Sequence, residues 1–186
     1  MRTLTLAAIA LILAAACGDP FGLPQAAIDN RVDTLSLYAL SGTPVASPSG
    51  YSMQFRQAVR TDQSTGFDFA FDIDSTGRAL LLPTGALKLG RQSGIQLTTT
   101  QFDSIKIAPT SKYQLDSAVV VDTGSVAILH SRPVTCSFGI AAVFYAKLHV
   151  IEIDTVSGPN GRRMQIEILT DINCGYRGLE TGLPRR

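Results

Sequence analysis

The segment "FDFAFDID", Phe67 to Asp74, constrains the fold more than any other stretch of this chain. Phe67, Phe69, Phe71 and Ile73 recur at every second position, opposite Asp68, Asp72 and Asp74. Side chains of a strand alternate between two faces, so this spacing predicts a strand with one buried and one solvated face. On a helix the same phenylalanines would be scattered around the axis.

The alternation recurs along the chain. "VDTLSLYAL" places Leu35, Leu37 and Ala39 on one face. "YSMQFRQAV" places Tyr51, Met53, Phe55 and Val59 opposite Gln54 and Arg56, and "MQIEIL" places Met164, Ile166 and Ile168 opposite Gln165 and Glu167. "RALLLP", "IQLTT", "SIKIA", "SAVVV" and "VAILH" read as further strands, and the Asn-Gly of "SGPNG", residues 157–161, predicts a tight hairpin turn. The run from Ala141 to Asp154 changes phase, with Leu148 and Val150 on one face and then Ile151 and Ile153 on the other, which predicts a bulge or a move between sheets. One short helical turn is expected at "TTQFD", with Thr100 as its cap and Asp103 three residues on. About ten short strands with closely spaced turns predict an all-β domain, an antiparallel β-sandwich, with a partly open β-barrel as the alternative.

The opening residues, "MRTLTLAAIALILAAAC", have a basic start at Arg2, an apolar run from Leu4 to Ala16 and a cysteine. The run is shorter than the ~20 residues a spanning helix needs and has the layout of a secretory signal. "LAAAC" resembles the lipobox of bacterial lipoproteins, with Ala14 where leucine is commonest. That resemblance implies cleavage after Ala16 and a diacylglyceryl thioether on Cys17, which would become the N-terminus. Residues 1–16 are then expected to be a signal peptide and residues 17–30 a lipid-anchored tether. A single all-β domain is expected over residues 31–176 and a flexible tail over 177–186. Two or more acyl chains hold a protein stably on a membrane, at about 0.8 kcal/mol per buried methylene. The string "NCGYRGLETGLP", Asn173 to Pro184, together with "FYAKL", Phe144 to Leu148, is similar to strings of uncharacterised secreted bacterial lipoproteins. It implies an extracytoplasmic address, periplasmic or surface, and no activity.

Removing residues 1–16, which include one basic residue, leaves 170 residues with 15 charges of each sign. No Lys/Arg run forms a patch, so the sequence has no electrostatic footprint for nucleic acid. Aromatics are 7% and tryptophan is absent, which argues against an aromatic-lined sugar site. With Cys17 lipidated, Cys136 and Cys174 remain as an even pair in an oxidising compartment, and a disulfide between them is expected. No Cys-x-x-Cys or zinc spacing accompanies them, so no metal and no cofactor is assigned.

"VVVDTGSVAIL", Val119 to Leu129, resembles in part the aspartic protease signature. The resemblance implies a catalytic carboxylate at Asp122, which needs a second such loop in the chain or in a dimer. Val126 departs from the pattern, and no second Asp-Thr-Gly occurs. The same vocabulary appears at other expected turns: "QSTG" at 63–66, "DSTG" at 74–77 and "DTVSG" at 154–158. Asp, Ser and Thr bond their own backbone and glycine takes positive φ, so these residues make turns without catalysis. "DIDSTG" copies the start of an EF-hand loop, but position twelve is Pro83, and Asp68 and Asp72 are expected on a solvent face. His130 and His149 have no neighbouring nucleophile motif and are read as surface histidines. No catalytic residue is assigned. The expectation is an anchored binding or structural module of the cell envelope, touching the membrane through lipidated Cys17 and meeting an envelope protein or glycan. A carrier of an apolar ligand is the first alternative, and a hydrolase using Asp122 the second.

Overall fold

The computed structural model describes residues 24–136, 139–156, 158 and 161–185. Cys17, the expected signal segment and most of the expected 157–161 turn lie outside these residues. The described chain folds into two five-stranded antiparallel sheets and a short ribbon. The strands are β1 (Val32–Tyr38), β2 (Gly50–Ser52), β3 (Gln57–Val59), β4 (Phe69–Ile73), β5 (Ala79–Pro83), β6 (Gly94–Thr98), β7 (Val119–Val121), β8 (Val126–His130), β9 (Val134–Thr135), β10 (Ala141–Ala142), β11 (Tyr145–Asp154) and β12 (Arg163–Asp171). One sheet has the order β1-β12-β11-β8-β6, the other β3-β2-β4-β5-β7, and β9 pairs with β10. The sheets are open at both edges, so the architecture is the expected sandwich and not a closed barrel.

The inner faces share one core. Phe69, Phe71, Ile73, Leu81 and Val121 from one sheet join Leu37, Leu129, Leu148, Val150, Met164 and Ile166 from the other. Phe69, Phe71, Ile73, Leu37, Leu148, Val150, Met164 and Ile166 are positions that the period-two pattern groups on one face of their strands. In β11 the register skips between Val150 and Glu152, a bulge that leaves Ile151 exposed. The skip returns Ile153 to the position opposite the buried Met164, so the predicted phase change is a bulge within one strand.

A second, smaller core lies on the outer face of the first sheet. Phe102, Ile105, Ala108 and Leu179 pack on Ile128 and Leu169. Backbone bonds Ala108 N–H to Arg177 O (2.9 Å) and Leu179 N–H to Lys106 O (2.8 Å) tie the two covering segments together. The expected free tail at 177–186 is therefore docked through residue 182, where Gly182 and Asn30 exchange two backbone bonds. Leu179 supplies the reason, since its side chain is fully buried. The helical turn is a 3-10 turn, Phe102–Ser104, with Gln101 and not Thr100 at its N-cap and no side-chain cap. "YSMQFRQAV" is a hairpin and not one strand. Arg56 takes a φ of +51°, and a turn at residues 53–56 carries Phe55 out to 64% exposure.

Cys136 and Cys174 form the expected disulfide, with Cα atoms 6.1 Å apart and a sequence separation of 38. Closing a loop of that length stabilises the fold by about 3–4 kcal/mol in the loop-entropy account. The bridge ties the β9–β10 ribbon to the segment after β12. Phe71 tests the shared core. Truncation by Phe71→Ala should cost about 3–5 kcal/mol in urea unfolding, and a loss below about 1 kcal/mol would show that the two sheets do not share one close-packed interior.

Candidate functional site

Strand direction defines two ends of the sandwich. The Val32 end of β1 lies by Leu169 of β12, and the Asp171 end of β12 lies by Tyr145 of β11. The N-terminal segment joins the body here, so we call this the entry end. The opposite end holds Tyr38, Arg163 and Asp154.

At the entry end the chain is clamped by polar groups. Asn173 Oδ1 accepts from the N–H of Ala27 (2.9 Å) and Ile28 (3.0 Å), while its Nδ2 donates to Ile28 O (2.8 Å). The Ala26 N–H donates to the Tyr176 hydroxyl, and the Asn30 side-chain amide donates to Gly178 O and Glu180 O. The second half of the expected tether is thus built into the domain. Arg56 adds two bonds, from Nη1 to Asp29 O (3.0 Å) and from Nη2 to Thr170 O (2.9 Å). Its left-handed backbone is held by these tertiary contacts.

Two buried carboxylates support this end. Asp68, expected on a solvent face, is only 4% exposed. It precedes β4, where the alternation has ended, and accepts from the N–H of Met53 (2.7 Å) and Arg132 (2.8 Å) and from Arg132 Nε (3.4 Å). Asp171 accepts at Oδ1 from the Asn173 N–H and side-chain amide, while its Oδ2 is buried without a hydrogen-bond partner among the described residues. Burial raises both carboxyls above the ordinary 3.8, against the lowering effect of those donors.

The "DTGS" segment is a turn between β7 and β8. Ser125 N–H donates to Asp122 O, Asp122 N–H donates to Ser125 Oγ, and Gly124 takes a φ of +88°. Asp122 itself is exposed. The related turns also use a side chain on local backbone, here the first residue's oxygen accepting from the N–H two positions on: Gly66 N–H to Ser64 Oγ, Thr76 N–H to Asp74 Oδ1, and Val156 N–H to Asp154 Oδ1. At the far end, Asp72 accepts from Ser41 N–H and Oγ, and Arg78 pairs with Asp74 at 2.8 Å. The bonds from Thr76 and Arg78 hold the Asp74 carboxyl well below the usual carboxylate range. Asp68 stands at the other end of β4 from these two. Among the described residues, no group of three His, Cys, Asp or Glu side chains could hold a metal ion.

Neither histidine sits on a plain surface. His130 packs edge-on to Tyr113 at 4.7 Å, and burial lowers its pKa below the ordinary 6.5. His149 pairs across strands with Glu167 at 2.6 Å. Lys147, which alternates with His149 on the face opposite Leu148 and Val150, is buried under the 3-10 turn. It donates to Phe102 O (2.8 Å) and Ile105 O (3.1 Å) with its ammonium 4.5 Å from the Phe102 ring.

Sequence reading misses the clamp of Asn30, Asn173, Arg56 and Asp68. The bonds from Asn30 to Glu180, from Ile28 to Asn173 and from Arg56 to Thr170 span 114 to 150 residues, and no local pattern encodes such pairings. The sole signal is negative, since Asn30 and Asn173 each border a strand without completing an obvious turn motif.

The raised carboxyl of Asp171 gives a pH signature. Its folded value lies above its unfolded one, so its stabilising contribution is full below 3.8 and is lost as pH rises through the raised value. Asp171→Asn keeps an oxygen for the two Asn173 donors and does not ionise. Relative to the native chain, this variant should gain stability between pH 4 and pH 7 in chemical denaturation. An unchanged difference across that range would contradict the assignment.

The chain matches no protein-family model and no curated protein.

Proposed function

We propose that the chain is a membrane-anchored, extracytoplasmic β-domain serving as a binding or structural module of the cell envelope. The observation that carries the reading is the Cys136–Cys174 disulfide. Such bridges persist in oxidising compartments, in agreement with export and lipid attachment at Cys17. The filled interior favours a binding surface over an enclosed ligand. Tyr51, Phe69, Phe71, Leu37, Met53 and Met164 occupy the space between the sheets and are fully buried. The end away from the N-terminal segment presents a polar hollow lined by Ser41, Asp72, Asp74, Ser75, Gly77 and Arg162. Arg162 braces it from below, donating to Ser41 O and Ile73 O. An envelope protein or glycan fits this rim of hydroxyls, carboxylates and one guanidinium.

Mass spectrometry of the mature protein from native membranes should find Cys17 at the N-terminus with a diacylglyceryl thioether. Cleavage elsewhere, or a free Cys17 thiol, contradicts the anchor. A photo-crosslinker at Ser75 should give discrete adducts in cells, whereas a smear of non-specific neighbours contradicts the binding role.

A further inference from the structure

The described chain starts at Pro24, seven positions after Cys17. The first described residue bonded to the body is Ala26, and the nine positions from Cys17 to it span at most about 32 Å even when fully extended. Residues 26–30 are hydrogen-bonded to Asn173, Tyr176 and Gly182, so the start of this span is fixed to the entry end of the sandwich. A lipid on Cys17 therefore keeps that end near the bilayer, and the apolar surface at that end sets which way the domain faces. The seven residues of β1 alone separate the two ends by about 20 Å.

The surface facing that short leash is apolar at its high points. Ile28 is 44% exposed, Phe55 64% and Leu183 58%. All three adjoin the clamp. Ile28 is part of it, Phe55 precedes Arg56, which bonds Asp29 O, and Leu183 follows Gly182, which bonds Asn30. Phe55 sits at the tip of the β2–β3 hairpin, where most of its ring is left uncovered by the described residues. The charged residues of this end are of both signs, with Arg31, Arg56, Lys106 and Arg185 beside Asp29, Asp33 and Glu180; Arg31 is paired with Asp33 at 3.1 Å and Lys106 with Glu180 at 3.5 Å.

We infer that this end is a bilayer-docking face, in which Phe55, flanked by Ile28 and Leu183, enters the boundary between headgroups and acyl chains of the membrane that holds the anchor. The inference rests on lipid attachment at Cys17. An interfacial element buries its apolar side chains about 5–10 Å into that boundary. Tethering removes most of the association cost, so a small apolar patch is enough to orient the domain. With charges of both signs and no basic cluster at this end, docking depends on apolar contact and not on anionic lipid. It turns the polar hollow of the opposite end outward.

The test uses the lipidated full-length protein in vesicles. Its three cysteines are all committed, to the lipid and to the disulfide, so an introduced cysteine is the sole free thiol. Phe55→Cys and Val45→Cys, at the entry end and the far end, each take an environment-sensitive dye. The dye at residue 55 should shift to the blue and be quenched by lipids spin-labelled near the headgroup, equally in phosphatidylcholine and in mixtures with phosphatidylglycerol. The dye at residue 45 should report water throughout. Water at both positions, with mass spectrometry showing lipid on Cys17, overturns the docking face and leaves the anchor standing. A shift confined to anionic vesicles, or one equal at both positions, also overturns it. A Cys17 without lipid removes the anchor and the docking face together.

Discussion

The two sheets turn large apolar faces toward each other, and neither of those faces can be covered without the other. Phe69, Phe71 and Ile73 of β4 lie against a surface made by Leu37, Leu148 and Ile166, and all six are at or near zero exposure. A large apolar side chain fully buried in this way contributes about 1.5–3 kcal/mol. The rest of the structure depends on this burial. Turns, ribbon and covering segments hang from a sandwich whose thickness those side chains set. The polar turns follow from the same need. Each reversal between strands must satisfy backbone groups locally, and Ser64, Asp74, Ser125 and Asp154 do so with their own side chains. Asp122 opens the turn that Ser125 closes, through its backbone N–H and C=O.

The ends of the domain are chemically unlike. At one end, Asn30, Asn173, Arg56, Asp68 and the disulfide fasten five segments into one polar clamp. At the other, exposed turns surround the hollow above Arg162. In the proposed anchored arrangement, the clamped end would be the rigid side toward the membrane and the turns the open side away from it. The buried Asp68 satisfies two backbone N–H donors that would otherwise be stranded in the interior, each at a cost of about 1–3 kcal/mol.

Much of this fold is legible in the sequence, and the limits of that legibility are physical. Alternation names the inner residues of β1, β4 and β12 because burial of one face imposes a period of two. The disulfide is legible from cysteine number and the inferred compartment. Alternation fails where the chain stops being a strand. Phe55 keeps the parity of Tyr51 and Met53 yet stands on a turn, since Arg56 adopts a positive φ that its side-chain bonds to distant carbonyls maintain. Lys147 sits on a nominally polar face, but Phe102 and Leu179 arrive from elsewhere to cover it. Asp68 and the docked residues 177–182 fail for the same reason. Of the candidate site, the Asp-Ser/Thr-Gly turns are legible as local chemistry. The clamp is not, because its main pairings span more than a hundred residues.

The central claim is that both sheets stand or fall with one shared interior. Native-state hydrogen exchange tests it on β4 and β11, the middle strands of the two sheets. The account predicts that the slowest amides of both strands exchange with the same free energy, equal to that of global unfolding. Protection of β11 that outlasts that of β4 by several kcal/mol would show a sheet that stays folded without its partner, and would contradict the shared core.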